Sequence, residues 1–366
     1  MKLSISRDAL LKPLQSIIGV VERKQTMPIL ANVLLVAKDD RLTATATDLE
    51  VELVAVAMAE RIDVPGEITV PGRKLLDIAR ALPEGVKVGL QLDGDRLVIK
   101  AGRTRFVLST LPAAEFPLVD GIEASNRLKL PQKEVARLID KTQFSMAQQD
   151  VRYYLNGLML ECSKKRLRAV ATDGHRLALC DINLENQDVT AGQVIVPRKG
   201  VIELHKLLGD GEMVDLTIGS NHIRANLEGI RFTSKLIDGR FPDYERVIPS
   251  SGAATLTAER EILRGALQRA AILSNEKYRG VRLELGKDLL KVQANNPDQE
   301  EAQDEIEVQY SGAAIEIGFN VTYLLDALAV VDGDTVEIDF LDANSSCLIR
   351  GGKGSHAKYV VMPMRL

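Results

Sequence analysis

The stretch LRAVATDGHRLAL, residues 167–179, has the makings of a catalytic floor. An apolar strand ends in Thr172 and Asp173, a glycine turns the chain, and His175 and Arg176 follow. An acid orienting a general base is the chemistry such a pair would do. On an extended chain, Asp173 and His175 sit two apart and face alike, but no nucleophile lies near them in sequence. The other candidates for chemistry are weaker. The four histidines, His175, His205, His222 and His356, are scattered without metal-ligand spacing, so no metal is expected. GGKGS at residues 351–355 lacks the GxxxxGKS/T spacing of a phosphate loop and is flanked by two strand patterns, which reads as a hairpin loop. The acidic run DQEEAQDE, residues 298–305, lacks the glycine and ligand pattern of a calcium loop and reads as a solvated or partner-facing edge.

The elements that carry Asp173 occur three times. LTATATD starts at Leu42, LRAVATD at Leu167 and LKVQANN at Leu290. A second block repeats with them: VPGRKLLDIARALPEG from Val70, VPRKGVIELHKLLGDG from Val196 and FNVTYLLDALAVVDGD from Phe319. A period this long marks whole domains rather than solenoid units. The chain therefore reads as three modules, residues 1–124, 125–252 and 253–366. Each has a first helix, alternating strands, a second helix and more strands, which is an α+β module with two helices on antiparallel sheets. No Gly- or Pro-rich linker separates the modules, so they are expected to pack edge to edge. The repeat also tests the catalytic reading. The aspartate is shared by the first two copies, whereas His175 and Arg176 belong to the second alone. Asp173 is then expected to bond the turn's backbone, and His175, Arg176 and Leu177 to form a binding surface.

Length and composition bound the remaining possibilities. A chain of 366 residues with 45% hydrophobic and 27% charged residues has room for two or three domains. No apolar run is long enough to span a membrane, and MKLSISRDALLK lacks the apolar core of a secretion signal, so a cytoplasmic location is expected. Cys162, Cys180 and Cys347 are widely spaced, with no CxxC, and are expected to be reduced and buried. Helices are expected over 7–20, 72–82, 132–143, 198–208, 258–271 and 320–331. They hold 14 Lys and Arg against 8 Asp and Glu, so in a chain of net charge −4 the remainder carries −10. Lys133, Arg137 and Lys141 share one helix face, as do Arg260, Arg264 and Gln268. Arg73–Lys74 and Arg198–Lys199 stand at helix N-termini, where the macrodipole disfavours cations and an external anion would relieve the cost. This segregation suits an acidic protein with a basic surface for nucleic acid. With aromatic residues at 4% and no tryptophan, single-strand stacking is poorly served, which leaves duplex held by its phosphates. Helices on one side of a threefold repeat would line a concave surface.

The three-module layout, together with TDLEVE at Thr47, QFSMAQQDVRYYLNG at Gln143, ATDGHRLA at Ala171, IVPRKGVIEL at Ile195, DGRFPDYERVIP at Asp238, AILSNEKYRGVRL at Ala271 and the terminal YVVMPMRL, closely resembles the bacterial DNA polymerase III β subunits, the replicative sliding clamps. The match runs end to end. The resemblance implies a non-enzymatic processivity factor without cofactors: a head-to-tail homodimer that forms a closed ring around duplex DNA. Its partners would be the polymerase III α subunit, clamp loader subunits, and other polymerases and repair proteins carrying clamp-binding peptides. Carried over by position, DNA contacts fall on Lys24, Arg73, Gln149, Tyr153 and Tyr154. The peptide groove falls on Leu155, Thr172, Gly174, His175, Arg176, Leu177, Pro242, Arg246, Val247, Asn320, Tyr323, Ser346, Met362, Pro363 and Met364. The dimer contact falls on Lys74, Arg96, Arg103, Arg105, Phe106 and Leu108 in the first module and on Ile272, Leu273, Glu300, Glu301 and Asp304 in the third. Two positions depart from the family pattern, Tyr278 where a Phe is familiar and Asn344 where an apolar residue is, and both would make the rim more polar. An enzyme built on Asp173 and His175, or a repeat scaffold without DNA, are the competing readings.

Overall fold

Alternation decides which strands face a core on one side only. In Ala124–Pro131, ASNRLKLP, the residues Asn126, Leu128 and Leu130 are buried while their neighbours point to solvent. The computed structural model describes residues 1–21, 27–119, 121–184, 189–249, 254–352 and 354–365. Lys24 and Lys353 therefore lie outside the described residues. Six helices recur in the expected places: α1 Arg7–Ile17, α2 Gly72–Ala81, α3 Gln132–Asp140, α4 Arg198–Leu207, α5 Arg260–Ala271 and α6 Val321–Val330. The Ser6 side chain caps α1 by accepting from the Ala9 amide, and Asn320 caps α6 by accepting from Thr322. The expected helices over 7–20 and 132–143 overran, because Ile18–Val20 and Gln143–Ser145 tighten into 3-10 turns.

Two of the expected basic features change in three dimensions. Within the row Lys133, Arg137 and Lys141, Lys133 is exposed, but Arg137 donates to Cys180 Sγ and the Asp181 carbonyl, and Lys141 pairs with Asp332 at 2.5 Å. Helix α3 ends before Lys141, which turns its ammonium inward. Similarly, Arg198 at the start of α4 donates to the Met146 carbonyl and Lys199 pairs with Asp48 at 2.5 Å. No external anion is needed there, because intramolecular acceptors already offset the helix dipole.

The chain divides into two compact units, Met1–Val135 with Lys199–Leu236, and Ala136–Arg198 with Ile237–Leu366. The first holds a five-stranded sheet, which runs from Arg61–Val64 at one edge to Thr104–Ser109 at the other, and an eight-stranded sheet. The second holds a nine-stranded sheet and a four-stranded one, whose edge strand is Glu301–Glu307. In the first unit α1 and α2 pack together, with α1 also on strands Arg41–Thr47 and Val51–Met58; in the second, α5 and α6 pack together, with α5 also on strands of the four-stranded sheet.

The large sheets are large because strands pair across the module boundaries. Val51–Met58 pairs antiparallel with Ile230–Lys235, setting Val51 opposite Ser234 and Leu53 opposite Phe232. Arg176–Asn183 pairs antiparallel with Ala357–Val361, setting Arg176 opposite Val361 and Ala178 opposite Tyr359. Each junction joins the third strand of one module's first block to the last strand of the next module, and the register is the same once the repeat offsets are applied. The bulky partners Phe232 and Tyr359 are fully buried there.

The cysteines are free and buried. Burial pushes the Cys162 and Cys180 thiols up to about 11 and that of Cys347 up to about 12. All three should therefore stay protonated and unreactive toward iodoacetamide near about pH 8, and all should react once the chain is unfolded. Mass spectrometry of the native protein that showed rapid alkylation at any of them would contradict this packing.

Candidate functional site

The turn after Arg166–Thr172 is built by its side chains. Thr172 Oγ1 donates to the Arg176 carbonyl and accepts from the Gly174 amide. Asp173 Oδ1 accepts the amides of His175, at 2.9 Å, and Arg176, at 3.0 Å. Gly174 supplies a φ of +89°, which favours glycine. The first module repeats the device: Thr47 bonds Val51 and Leu49, and Asp48 accepts the amides of Glu50 and Val51. In the third, Asn296 accepts from Asp298 and Glu300. The expectation that Asp173 and His175 face alike on an extended chain is overturned. The chain turns between them, and the carboxylate holds main-chain amides and Arg176 Nε rather than the imidazole, which is exposed. Among the described residues no group of three His, Cys, Asp or Glu could hold a metal ion.

Arg176 is the most heavily held side chain at the turn. Nη1 pairs with Asp326 of α6 at 2.5 Å, Nε with Asp173 at 3.1 Å, and Nη2 donates to the Phe144 carbonyl at 2.6 Å. Its guanidinium lies 4.5 Å from the Tyr323 ring centroid and 5.4 Å from that of Phe144. A planar, weakly hydrated cation is suited to this sandwich. It locks the turn against α6.

Beside it opens an apolar cavity of about 190 Å³, lined by Arg152, Leu155, Thr172, Gly174, Arg176, Leu177, Pro242, Asp243, Tyr244, Val247, Val360 and Met362. Other hollows on the third module are a polar one near Arg282 and Gln303 and an open groove around Leu289. The cavity at the turn is the better candidate, since an apolar floor ringed by a few polar groups is what holds and orients an organic ligand. It brings together Leu155, Thr172, Gly174, Arg176, Leu177, Pro242, Val247 and Met362 from the expected groove. His175 sits exposed at its margin, and Arg246 is 84% exposed and pairs with Asp243. Asn320, Tyr323, Ser346, Pro363 and Met364 do not line it. Asn320 and Tyr323 serve α6 and Arg176 instead. The chain end is pinned, because the Met362 amide donates to the His175 carbonyl and the Met364 amide to Gly318, each at 2.9 Å.

Arg152, Asp243, Tyr244 and Val360 also line the cavity and were missed in the sequence. Arg152 is held by Asp150 and reaches the Asp173 carbonyl. Its side-chain bonds hold the Asp150 carboxyl down at about 2. A signal for Tyr244 did exist: FPDYERV stands where the first module has FPLVDGI. Of the two departing residues, Tyr278 is exposed beside Lys277, and Asn344 lies in a turn held by Asp342.

The remaining expected residues range from exposed to buried. Arg73 and Lys74 are exposed at the start of α2, with Arg73 also donating to the Val21 carbonyl at 2.5 Å. Gln149 stands in a loop with φ +55°. Tyr153 and Tyr154 begin a 3-10 turn, ring against ring; Tyr153 is exposed, and Tyr154 is half-buried against the core beneath the cavity. Arg96, Arg103 and Arg105 are exposed, Phe106 is half-buried, and Leu108 is already covered by its own module. Ile272 is 76% exposed, Leu273 is half-buried, Glu300 and Glu301 are exposed, and Asp304 pairs with Arg269.

Sequence models of the DNA polymerase III beta subunit match the chain in order, the N-terminal domain over residues 1–120, the central domain over 129–243 and the C-terminal domain over 245–365. The Beta sliding clamp of Pseudomonas putida is 54% identical and that of Escherichia coli K12 51% identical, each match covering 100% of both chains. The crystal structure of DNA polymerase III subunit beta from Pseudomonas aeruginosa superimposes with a TM-score of 0.98 at 53% identity, covering 100% of both chains. The Caulobacter crescentus pol III beta does so with 0.96 at 43% identity, again covering 100% of both. A Pseudomonas aeruginosa clamp bound to griselimycin gives 0.97. At this identity over the whole chain, the protein belongs to the DNA polymerase III beta subunit family, the beta sliding clamps.

Proposed function

We propose that two copies of this chain close head to tail into a ring around duplex DNA and hold the replicative polymerase there, acting by tethering rather than by catalysis. The repeating units are residues 1–124, 125–252 and 253–366, and the setting is the cytoplasm, where bacterial chromosomal DNA lies. One observation carries the reading. The two junctions inside the chain pair strands of the same kind in the same register, and the counterparts left over are the edge strands Glu301–Glu307 and Thr104–Ser109. A third junction of that kind is the one a second copy would make. Applied there, the register sets Ala302 opposite Phe106 of the partner and Glu300 opposite Leu108. Two such contacts leave no open edge between the copies. Exposed Ile272 and half-buried Leu273 and Phe106 supply the apolar part. Arg103 and Arg105 against Glu300, Glu301 and Asp304 add charge complementarity, at about 0–1 kcal/mol for an exposed pair.

Within the ring the duplex meets Arg73, Gln149, Tyr153 and Tyr154, and Lys24 by position in the family. Such sparse contacts suit a protein that must slide, because amides and hydroxyls hold phosphates without reading sequence. The apolar cavity takes extended peptides from the polymerase α subunit, the clamp loader and repair proteins through a Leu or Phe anchor. Met362 suits several ligands, since a thioether repacks easily.

Three outcomes are expected. A chain carrying Phe106→Cys and Ala302→Cys should oxidise to a covalent dimer on a non-reducing gel, because antiparallel partners lie within disulfide reach at about 4.5–5.5 Å between Cα atoms; the single variants staying monomeric and the pair staying monomeric too would displace the interface. After loading, the clamp should persist on nicked circular duplex and run off linear duplex with free ends, and equal retention on both would sink the ring. Deleting residues 362–366 should weaken polymerase and loader peptides by about 2 kcal/mol or more while leaving the dimer intact; peptide titrations unchanged by the deletion would remove the cavity from the account.

A further inference from the structure

The cavity has a wall that little else supports. Residues 242–247 cross the face of the nine-stranded sheet as an exposed strap, and its Tyr244–Val247 turn has no side-chain cap. Phe241, just before the strap, and Tyr244 within it reach down into the core. Phe241 has a counterpart in the first module's linker, Phe116, which is buried in the same manner. Tyr244 does not: Val119 stands there, and its amide is tied to the Glu52 carboxylate instead.

The tyrosine hydroxyl ends on a polar network spread over three neighbouring strands. It accepts from Arg168 Nη1 at 3.1 Å and donates to the Glu161 carboxylate at 3.2 Å. Arg168 is fixed by a two-pronged pair with Asp181, at 2.6 and 2.8 Å. Glu161 is fixed by Arg166 at 3.1 Å and by Gln193 at 2.7 Å. Both the donor and the acceptor capacity of the hydroxyl are thus used, and its position is over-determined. None of Arg168, Asp181 or Glu161 lines the cavity.

The repeat shows that the fold does not require this network. The first module has Val36, Thr43 and Val56 at the cross-strand positions of Glu161, Arg168 and Asp181, in the same register, and an apolar cluster beneath its linker. The third has Glu284, Lys291 and Glu305, a charged ladder in which Lys291 pairs with Glu284 and, among the described residues, no tyrosine hydroxyl bonds to it. A hydroxyl clamped between the basic and acidic members of that ladder is specific to the module with the cavity. An apolar contact would cover the sheet equally well but would leave the strap free to slide; directional bonds to ions fix its height.

The geometry points to the Tyr244 hydroxyl, seated between Arg168 and Glu161, as the anchor that holds the 242–247 wall at the width an apolar peptide side chain needs, with Arg168 and Glu161 as positioning residues. This rests on the cavity's being a peptide site. The test uses the full-length protein and two short fluorescein-labelled peptides that differ in the anchor, Leu or Phe, read by anisotropy and stopped flow alongside thermal unfolding. Tyr244→Phe keeps the ring and should weaken binding about tenfold through faster dissociation, shift the Leu-to-Phe preference, and leave the thermal midpoint unchanged. Arg168→Met should weaken the same peptides and also lower the thermal midpoint, since it leaves Asp181 unpaired and removes a 3.6 Å pair with Glu245 of the strap; the double variant should lose no more affinity than Arg168→Met alone, and Arg168→Lys should recover part of the loss. Wild-type affinity and preference in Tyr244→Phe, or losses that simply add in the double variant, would overturn the anchor while the peptide site stands. Peptides that bind the wild type equally well without residues 362–366 would overturn the peptide site, and this proposal with it.

Discussion

Backbone groups on the edge of a sheet must find partners, and most of this chain's organisation follows from how its modules meet that requirement. A module built of two helices on antiparallel strands leaves an edge at each end. Between the first and second modules, and again between the second and third, those edges are joined strand to strand, with Phe232 and then Tyr359 buried at the seam. The compact units consequently cut across the repeat, because a sheet continued over a boundary binds residues of two modules into one core. The proposed ring is the same requirement applied once more, to the two edge strands Thr104–Ser109 and Glu301–Glu307.

A seam of this kind also creates a concavity. At the second junction the strand after Gly174 runs beside the final strand, and the linker passes over both, so Leu155, Leu177, Val360 and Met362 are left around a space that the chain's own side chains do not fill. At the first junction the corresponding position to Leu177 is Glu52, which is buried and bonded to Val119, and the linker is drawn down onto it. Glu52 in place of Leu177 is one of several differences between the two seams. Turn and strand are retained between the two copies, and the residues around the space are altered.

The charge distribution follows the same economy. Several helix cations that look available in the sequence are spent on internal carbonyls and carboxylates, as Arg137, Lys141, Arg198 and Lys199 are. The exposed set that remains is about half of the helix cations, with Lys12, Arg73, Lys74, Arg80 and Lys133 in it. For a protein proposed to slide along duplex DNA this is suitable, since each additional phosphate contact deepens the wells between which sliding must move. Retention would then come from topology, and affinity from the partner peptides.

Much of this was legible in the sequence by itself. The threefold period, the six helices, the antiparallel strands and the scaffolding role of Asp173 all follow from local chemistry, because turn residues, caps and alternation act over a few positions and the repeat supplied its own control. Leu155, Thr172, Leu177 and Met362, named together by resemblance to a family, line one cavity in the structure. What the sequence could not supply was anything that depends on where a long side chain ends. Arg137 and Lys141 share a helical face in the sequence, but their heads turn to Asp181 and Asp332, which are remote along the chain. Arg152, from a loop, comes to rest on Asp150 and the Asp173 carbonyl and so becomes a wall of the cavity. Tyr244 could be noticed as a difference between repeats, but its partners Arg168 and Glu161 are set by strand register, which the tertiary structure alone decides. Local periodicity determines elements; the destinations of flexible, charged side chains are determined by the packing of elements distant in sequence.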